Sequence, residues 1–213
     1  MNFRQFLEMA YPASFNIQEF NDIQSYSKKV KYAADHLKKI GSGSSRVVFL
    51  VDEEKVLKIA KNEKGLGQNK TESDWSMQQY GIVAKIFNVG EDYKDIGPMW
   101  LEMELAKKVS PKRVKEVTGI SLQDVQSYLM YLNSVNNPSK YRIPSIDDKL
   151  KETIQENEWM QNLESLIHDY DMTYPGDFGR ISTYGEVVRD GVPSIVLVDF
   201  GLSSSVYYEY YKV

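Results

Sequence analysis

Between Ile40 and Ala106 the sequence sets short β-rich runs around one helical stretch, and that order limits the fold more than any other feature of the chain. Val47-Val48-Phe49-Leu50-Val51 and Val56-Leu57-Lys58-Ile59 are separated by Asp52-Glu53-Glu54-Lys55, the composition of a hairpin turn. Gln68 to Tyr80 reads as a helix, polar at Thr71-Glu72-Ser73-Asp74, with Trp75 and Met77 available for burial. Ile82 to Val89 and Met99 to Ala106 read as further strands. Strand, strand, helix, strand, strand predicts an antiparallel sheet with one inserted helix, not a βαβ repeat. The chain is therefore α+β.

The flanks read as helical. Phe3, Phe6, Leu7 and Met9 form an apolar face near the start, and a second stretch runs from about Asn21 to Lys39, a helical extension packed on the main body. Past Ala106, Ser121 caps a helix to about Asn133 with Leu122, Val125, Leu129 and Leu132 at helical spacing, and Asn136-Asn137-Pro138 breaks it. A long helix follows from about Ile146 to Tyr170, its Trp159, Leu163, Leu166 and Ile167 reading as core. A hairpin runs from Glu186-Val187-Val188 through Arg189-Asp190-Gly191 to Ile195–Val198. Lys107, Lys108, Lys112, Arg113 and Lys115 cluster around Ser110-Pro111 and read as a solvated loop and helix start, with attraction of a phosphorylated or acidic partner as the alternative. The divisions are 1–39 as an extension, 40–106 as a sheet-bearing unit and 107–213 as a mainly helical one.

Composition closes several function classes. With 42% hydrophobic and 26% charged residues, the 213-residue chain has an ordinary globular balance. A net charge of −4 and a pI of about 5.4 do not favour nucleic acid or acidic membrane. No apolar run approaches about 18 residues and no export signal is visible, so the expectation is a cytoplasmic protein without a membrane partner. Cysteine is absent, which excludes disulfides, thiolate catalysis and cysteine-held zinc. His36 and His168 are too far apart for a histidine metal site.

Five pieces carry chemistry together. Ile40-Gly41-Ser42-Gly43-Ser44-Ser45-Arg46 fits a glycine-rich turn between two strands, where Gly41 and Gly43 let backbone amides approach phosphate oxygens; a flexible hairpin is the plainer alternative. Lys58 alternates with Leu57 and Ile59 and falls on the opposite sheet face, under that turn or toward solvent. Glu72 is its natural ion-pair partner, with Glu63 and Glu102 as rivals. Leu101-Glu102-Met103-Glu104-Leu105-Ala106 has the form of a strand leading into a linker. Asp177 follows the long helix, placed to orient an attacking hydroxyl or accept its proton, or to serve only as a turn residue. Asp199-Phe200-Gly201 ends the Ile195–Val198 strand, and the hairpin would bring Asp177 and Asp199 to one end of two paired strands.

On these residues, from Ile40 to Ser203, the chain resembles the protein-kinase-like family. The resemblance implies a bilobal fold: an N-lobe antiparallel sheet with one helix, and a reduced, mainly helical C-lobe with a short β-hairpin. Gly41, Ser42, Gly43 and Ser44 match the glycine-rich loop, Lys58 the strand lysine, Glu72 the helix glutamate, and Met103-Glu104 the gatekeeper and adenine-binding hinge. Asp177 matches the catalytic-loop aspartate and Asp199 the magnesium aspartate. ATP and Mg2+ are the implied cofactors, and a protein or small-molecule hydroxyl the implied acceptor. The Gly176-Asp177 context is closer to aminoglycoside-type phosphotransferases than to a His-Arg-Asp loop. The small size and the Ser182-Thr183-Tyr184-Gly185 segment resemble kinase-like proteins of bacteriophage genomes, which would place the chain in a host cytoplasm.

The pattern also departs from the family. Arg46 stands at the third glycine position, stiffening the loop and putting a charge near the phosphates. Ser182 and Thr183 stand where an asparagine is expected after Asp177; either hydroxyl ligates a metal more weakly than an amide oxygen. No Ala-Pro-Glu follows Gly201 and only twelve residues remain, too few for an activation segment or a peptide-binding platform. Val206, Tyr207, Tyr210 and Tyr211 read as one face docking a final helix. Three functions stay open: phosphoryl transfer, a pseudokinase or scaffold that transfers nothing, and nucleotidyl transfer.

Overall fold

The computed structural model describes residues 11–136, 146–173 and 176–212. The expected helix around Phe3–Met9 and Asn137-Pro138 of the expected break lie outside them, whereas Asn136, the first residue of that break, is still helical. The chain divides into two units, Met1–Trp75 with Lys85–Leu105, and Ser76–Ala84 with Ala106–Val213.

The first unit is built on an antiparallel sheet of β1 (Lys38–Ser42), β2 (Arg46–Leu50), β3 (Lys55–Ala60), β7 (Trp100–Glu104) and β4 (Ile86–Val89), in that spatial order. A separate two-stranded ribbon pairs β5 (Asp92–Tyr93) with β6 (Gly97–Pro98). The β2–β3 hairpin turns where Asp52–Lys55 was read as a turn. One face carries Val47, Phe49, Leu57 and Ile59 against α1 (Ile17–Asp22) and α2 (Tyr26–His36), through Phe15, Phe20, Ala33 and Leu37. The expected helix over 21–39 is thus two short helices that end before the sheet begins. Lys29 of α2 is 2% exposed, and its ammonium donates to the Phe20 and Asn21 carbonyls that end α1 while lying 4.3 Å from the Phe20 ring centre. Burial draws its pKa down to about 8.

The inserted helix is α3 (Glu63–Glu72), which starts and ends earlier than the reading of 68–80; Trp75–Tyr80 follows as a separate 3-10 turn. Asn62 sets the early start, its side-chain oxygen accepting from the Gly65 N–H at 3.1 Å. Met77 is buried, whereas Trp75 stays half exposed.

The second unit contains α4 (Pro111–Thr118), α5 (Leu122–Asn136), α6 (Asp148–Gln155) and α7 (Glu158–Asp169), then a three-stranded sheet of β10 (Val192–Leu197), β9 (Tyr184–Arg189) and β8 (Lys107–Lys108), and α8 (Ser204–Tyr210). Ser110 caps α4 with Pro111 at its first position, and Gly119 ends it at φ 81°. Ser121 caps α5 as read, accepting from Asp124 N–H at 3.1 Å. The long helix expected over 146–170 is two, because Asn157 starts a new one by accepting from Met160 N–H at 3.0 Å. Leu163, Leu166 and Ile167 are core, and the Trp159 indole donates to the Ile195 carbonyl at 3.0 Å. Arg113 of the basic cluster is engaged internally, its guanidinium gripping Glu186 through two nitrogens at 2.6 and 2.9 Å and holding that carboxyl below its ordinary pKa. The expected strand 82–89 splits: Ile82–Ala84 bonds alongside Leu197 of β10, and only Ile86–Val89 joins β7. In α8 Val206 is buried and Tyr210 and Tyr211 are half-buried, while Tyr207 of the expected docking face is 39% exposed and stacks on Tyr211. The α+β class read from the sequence is the class observed.

Candidate functional site

In the first unit the register Val48↔Lys58↔Leu101 puts Lys58 on the sheet face opposite Leu57 and Ile59, as alternation predicts. Lys58 is nonetheless buried, and its ammonium meets the Glu72 carboxylate at 2.7 Å. Glu72 is fully buried at the last turn of α3. The rivals are accounted for: Glu102 pairs in register with Leu57 on the other face, and Glu63 reaches Lys94 at 3.7 Å on the surface. There Glu102 has a different neighbour, Tyr11, whose phenol is pushed well above its ordinary pKa by burial and by that carboxylate.

The Arg46 side chain is buried, and its guanidinium lies 2.8 Å from the same Glu72 oxygen that Lys58 meets. Two cations from two adjacent strands converge on one helix carboxylate. The glycine turn itself is closed by Gly43 N–H donating to the Arg46 carbonyl at 2.9 Å. Ser42 and Ser44 are exposed and Gly41 is partly so. A Cβ on Gly43 would meet nothing nearer than the Arg46 carbonyl oxygen at 4.0 Å, so the space over that residue is open on the protein side. The turn also makes contacts that the sequence reading missed: Lys61 and Asn62 bond its carbonyls, and the Ser45 hydroxyl donates to Gln68 at 2.5 Å. Asn62 with Glu63 in the next position is the sequence signal of this helix start, five residues ahead of Gln68.

At the end of β7, Met103 is buried and Glu104 partly exposed. The Glu104 N–H donates to the Lys85 carbonyl at 2.8 Å and the Leu105 N–H to the Glu54 carbonyl at 2.7 Å, so both donors are used inside the protein. The Glu104 carboxylate accepts from the Lys85 N–H at 3.0 Å.

In the second unit Asp199 is exposed directly beyond β10, and Phe200 after it is buried. Tyr184 opens β9 opposite Leu197, and Val198 N–H donates to the Thr183 carbonyl at 2.8 Å. Ser182 and Thr183 therefore lie at the end of the sheet from which Asp199 emerges, Ser182 exposed and Thr183 buried. The 3-10 turn Gly176–Gly179 carries the Asp177 backbone, anchored by buried Phe178, whose carbonyl accepts from the Tyr184 hydroxyl; the Asp177 side chain lies outside the described residues. Among the described residues no group of three His, Cys, Asp or Glu side chains could hold a metal ion. No described helix is long and apolar enough to cross a membrane.

No protein-family model and no curated protein matches the sequence. Solved structures do resemble the fold. The GDP and kanamycin complex of APH(2")-IIia is 12% identical with a TM-score of 0.33 over 78% of this chain, which spans 66% of that one, just under two thirds. The GDP complex of wild-type aminoglycoside 2'-phosphotransferase-IIIa is 16% identical with a TM-score of 0.39, covering 99% of this chain and 77% of that one. The streptomycin–ATP–APH(2")-IIa ternary complex is 13% identical with a TM-score of 0.29, covering 83% and 70%.

Proposed function

We propose that this chain binds ATP with Mg2+ and transfers the terminal phosphoryl group to a hydroxyl acceptor on a protein or small molecule. The observation that carries the reading is Lys58 held by Glu72 at 2.7 Å on the sheet face away from the apolar cluster, on the strand that follows the glycine turn. A lysine fixed in that way offers an ammonium to phosphate oxygens without searching for it. Gly41, Ser42, Gly43 and Ser44 supply the phosphate-facing turn. Met103 and Glu104 border the base, with the backbone of this strand-to-linker segment assigned to its edge. Asp199 with the Ser182 and Thr183 hydroxyls is the metal-holding set. These are hard oxygen donors at one sheet end, a donor type that suits Mg2+ when phosphates and water complete the shell. The ion would neutralise phosphate charge. Asp177 is assigned to orient the acceptor hydroxyl and take its proton.

A second reading, binding without transfer, is favoured by one observation: Thr183, one of the two residues standing in for the expected asparagine, is buried. Thermal unfolding with and without Mg·ATP, on wild type and Asp199→Asn, tests the binding step. Ligand at about 100 times its Kd stabilises by about 2.7 kcal/mol, which raises the midpoint by roughly 5–10 °C in wild type and not in Asp199→Asn. A wild type that does not shift at millimolar Mg·ATP rejects the reading. ADP release from Mg·ATP then separates the two functions: Asp177→Asn keeps the shift and loses turnover. Unchanged turnover removes Asp177 from its role, and a wild type that shifts without turning over is the non-transferring protein.

A further inference from the structure

From Gly43 to Arg46 the glycine turn is fastened to one stretch of chain. The Gly43 carbonyl accepts from the Lys61 ammonium, the Ser44 carbonyl from the Asn62 amide at 3.2 Å, and the Ser45 carbonyl from the Lys61 N–H at 2.8 Å. The Ser45 hydroxyl reaches Gln68 at 2.5 Å and the Arg46 guanidinium reaches Glu72 at 2.8 Å. Positions 62, 65, 68 and 72 recur at helical spacing, so they form one stripe of α3 and its cap turned to the turn. Gly65 in that stripe has a packing reason: a Cβ there would lie 2.4 Å from the Ser45 carbonyl oxygen and 2.9 Å from the Ala60 Cβ. The turn rests on bare helix backbone, and no side chain fits between them.

We infer that Lys61, Asn62, Gly65 and Gln68 are positioning residues that hold the turn ready-made for a polyphosphate; the inference rests on the nucleotide reading above. In a trans peptide the C=O of one residue and the N–H of the next point in opposite directions. Drawing the carbonyls of Gly43, Ser44 and Ser45 toward Lys61 and Asn62 therefore turns the N–H groups of Ser44, Ser45 and Arg46 away from that corner. Successive outward amides make a concave anion site, and fastening their carbonyls removes the ordering cost from the binding step. The stripe also joins the turn to Glu72, and through it to Lys58, so the phosphate-facing amides and the ammonium are set by one helix.

The test combines hydrogen exchange at the bonded Gly43 and Lys61 amides, which close and fasten the turn in the ligand-free protein, with calorimetric affinities for Mg·ADP and adenosine. Lys61→Met and Gly65→Ala should each speed exchange in the turn and weaken Mg·ADP about tenfold while leaving adenosine unchanged. Lys61→Arg should restore most of the Mg·ADP affinity. Gly65→Ala removes no charge and no hydrogen-bonding group, so a shared phenotype separates positioning from direct attraction by Lys61. If Lys61→Met leaves turn exchange unchanged, or speeds it while the ratio of Mg·ADP to adenosine affinity stays at the wild-type value, the inference is overturned even if Gly65→Ala does not fold. A wild type that binds neither ligand fails before any variant is compared and overturns the nucleotide reading itself.

Discussion

At the scale of single residues, Glu72 is the side chain on which the first unit's charges depend. Lys58→Met leaves Glu72 its contact with Arg46, whereas Glu72→Gln takes the carboxylate from both cations at once. Leaving a buried charge without its partner costs about 3–5 kcal/mol, so Glu72→Gln should lower the urea midpoint well beyond Lys58→Met, although both should abolish the Mg·ATP shift. Lys29 makes a different prediction. Its folded pKa of about 8 lies below the ordinary 10.5, so above pH 8 the native protein holds fewer protons than the unfolded chain. Stability from this group therefore rises between about pH 8 and pH 10. The phenols of Tyr11 and Tyr184, pushed up chiefly by burial, act in the opposite direction above their ordinary value of 10.0. Urea midpoints at pH 8 and pH 10 should show a rise in wild type that is smaller in Lys29→Met.

At the scale of elements, helix starts decide what was readable and what was not. The strands of the β2–β3 hairpin and of the β9–β10 hairpin were legible because alternation and turn residues agree there, and Ser121 was legible as a cap because apolar spacing follows it. The starts of α3 and α7 were not. Gly65 and Gly67 disguise α3 as a loop, and the reason for Gly65 is a carbonyl from Ser45, twenty residues earlier in the chain. Asn157 is followed by Glu158, the same Asn-Glu pair that starts α3, but the apolar positions resume at Trp159 after only four polar residues, so the pair reads as the polar side of one continuing helix. Its amide explains the break: while its oxygen caps α7, its nitrogen donates to the Thr118 carbonyl at 2.7 Å, tying two helices at one residue. Asn157→Ala should therefore cost about 1–2 kcal/mol in chemical unfolding, and Asn157→Asp, which keeps the cap and loses the donor, should recover part of it. The site was legible in the same uneven way. Lys58 and Glu72 were found from alternation and helix position, but the inward turn of Arg46 depends on the position of α3, which the sequence reading had placed too late.

At the scale of the whole molecule, the chain leaves the first unit after Trp75 and returns to it at Lys85. The strand that completes the sheet beside β3 is β7, which begins only at Trp100. During synthesis, at roughly 5–20 residues per second, β3 is thus finished seconds before its partner exists, whereas a hairpin forms in microseconds. The nascent chain carries an open apolar edge, Val56-Leu57-Lys58-Ile59, for all of that interval. A charge in the middle of such an edge opposes its pairing with a neighbouring chain. The lysine assigned to phosphate therefore has an earlier duty, before any nucleotide can bind: it guards the waiting strand. Lys58→Met should yield more insoluble protein on expression than Lys58→Arg, with no dependence on added nucleotide; equal soluble fractions would remove that duty.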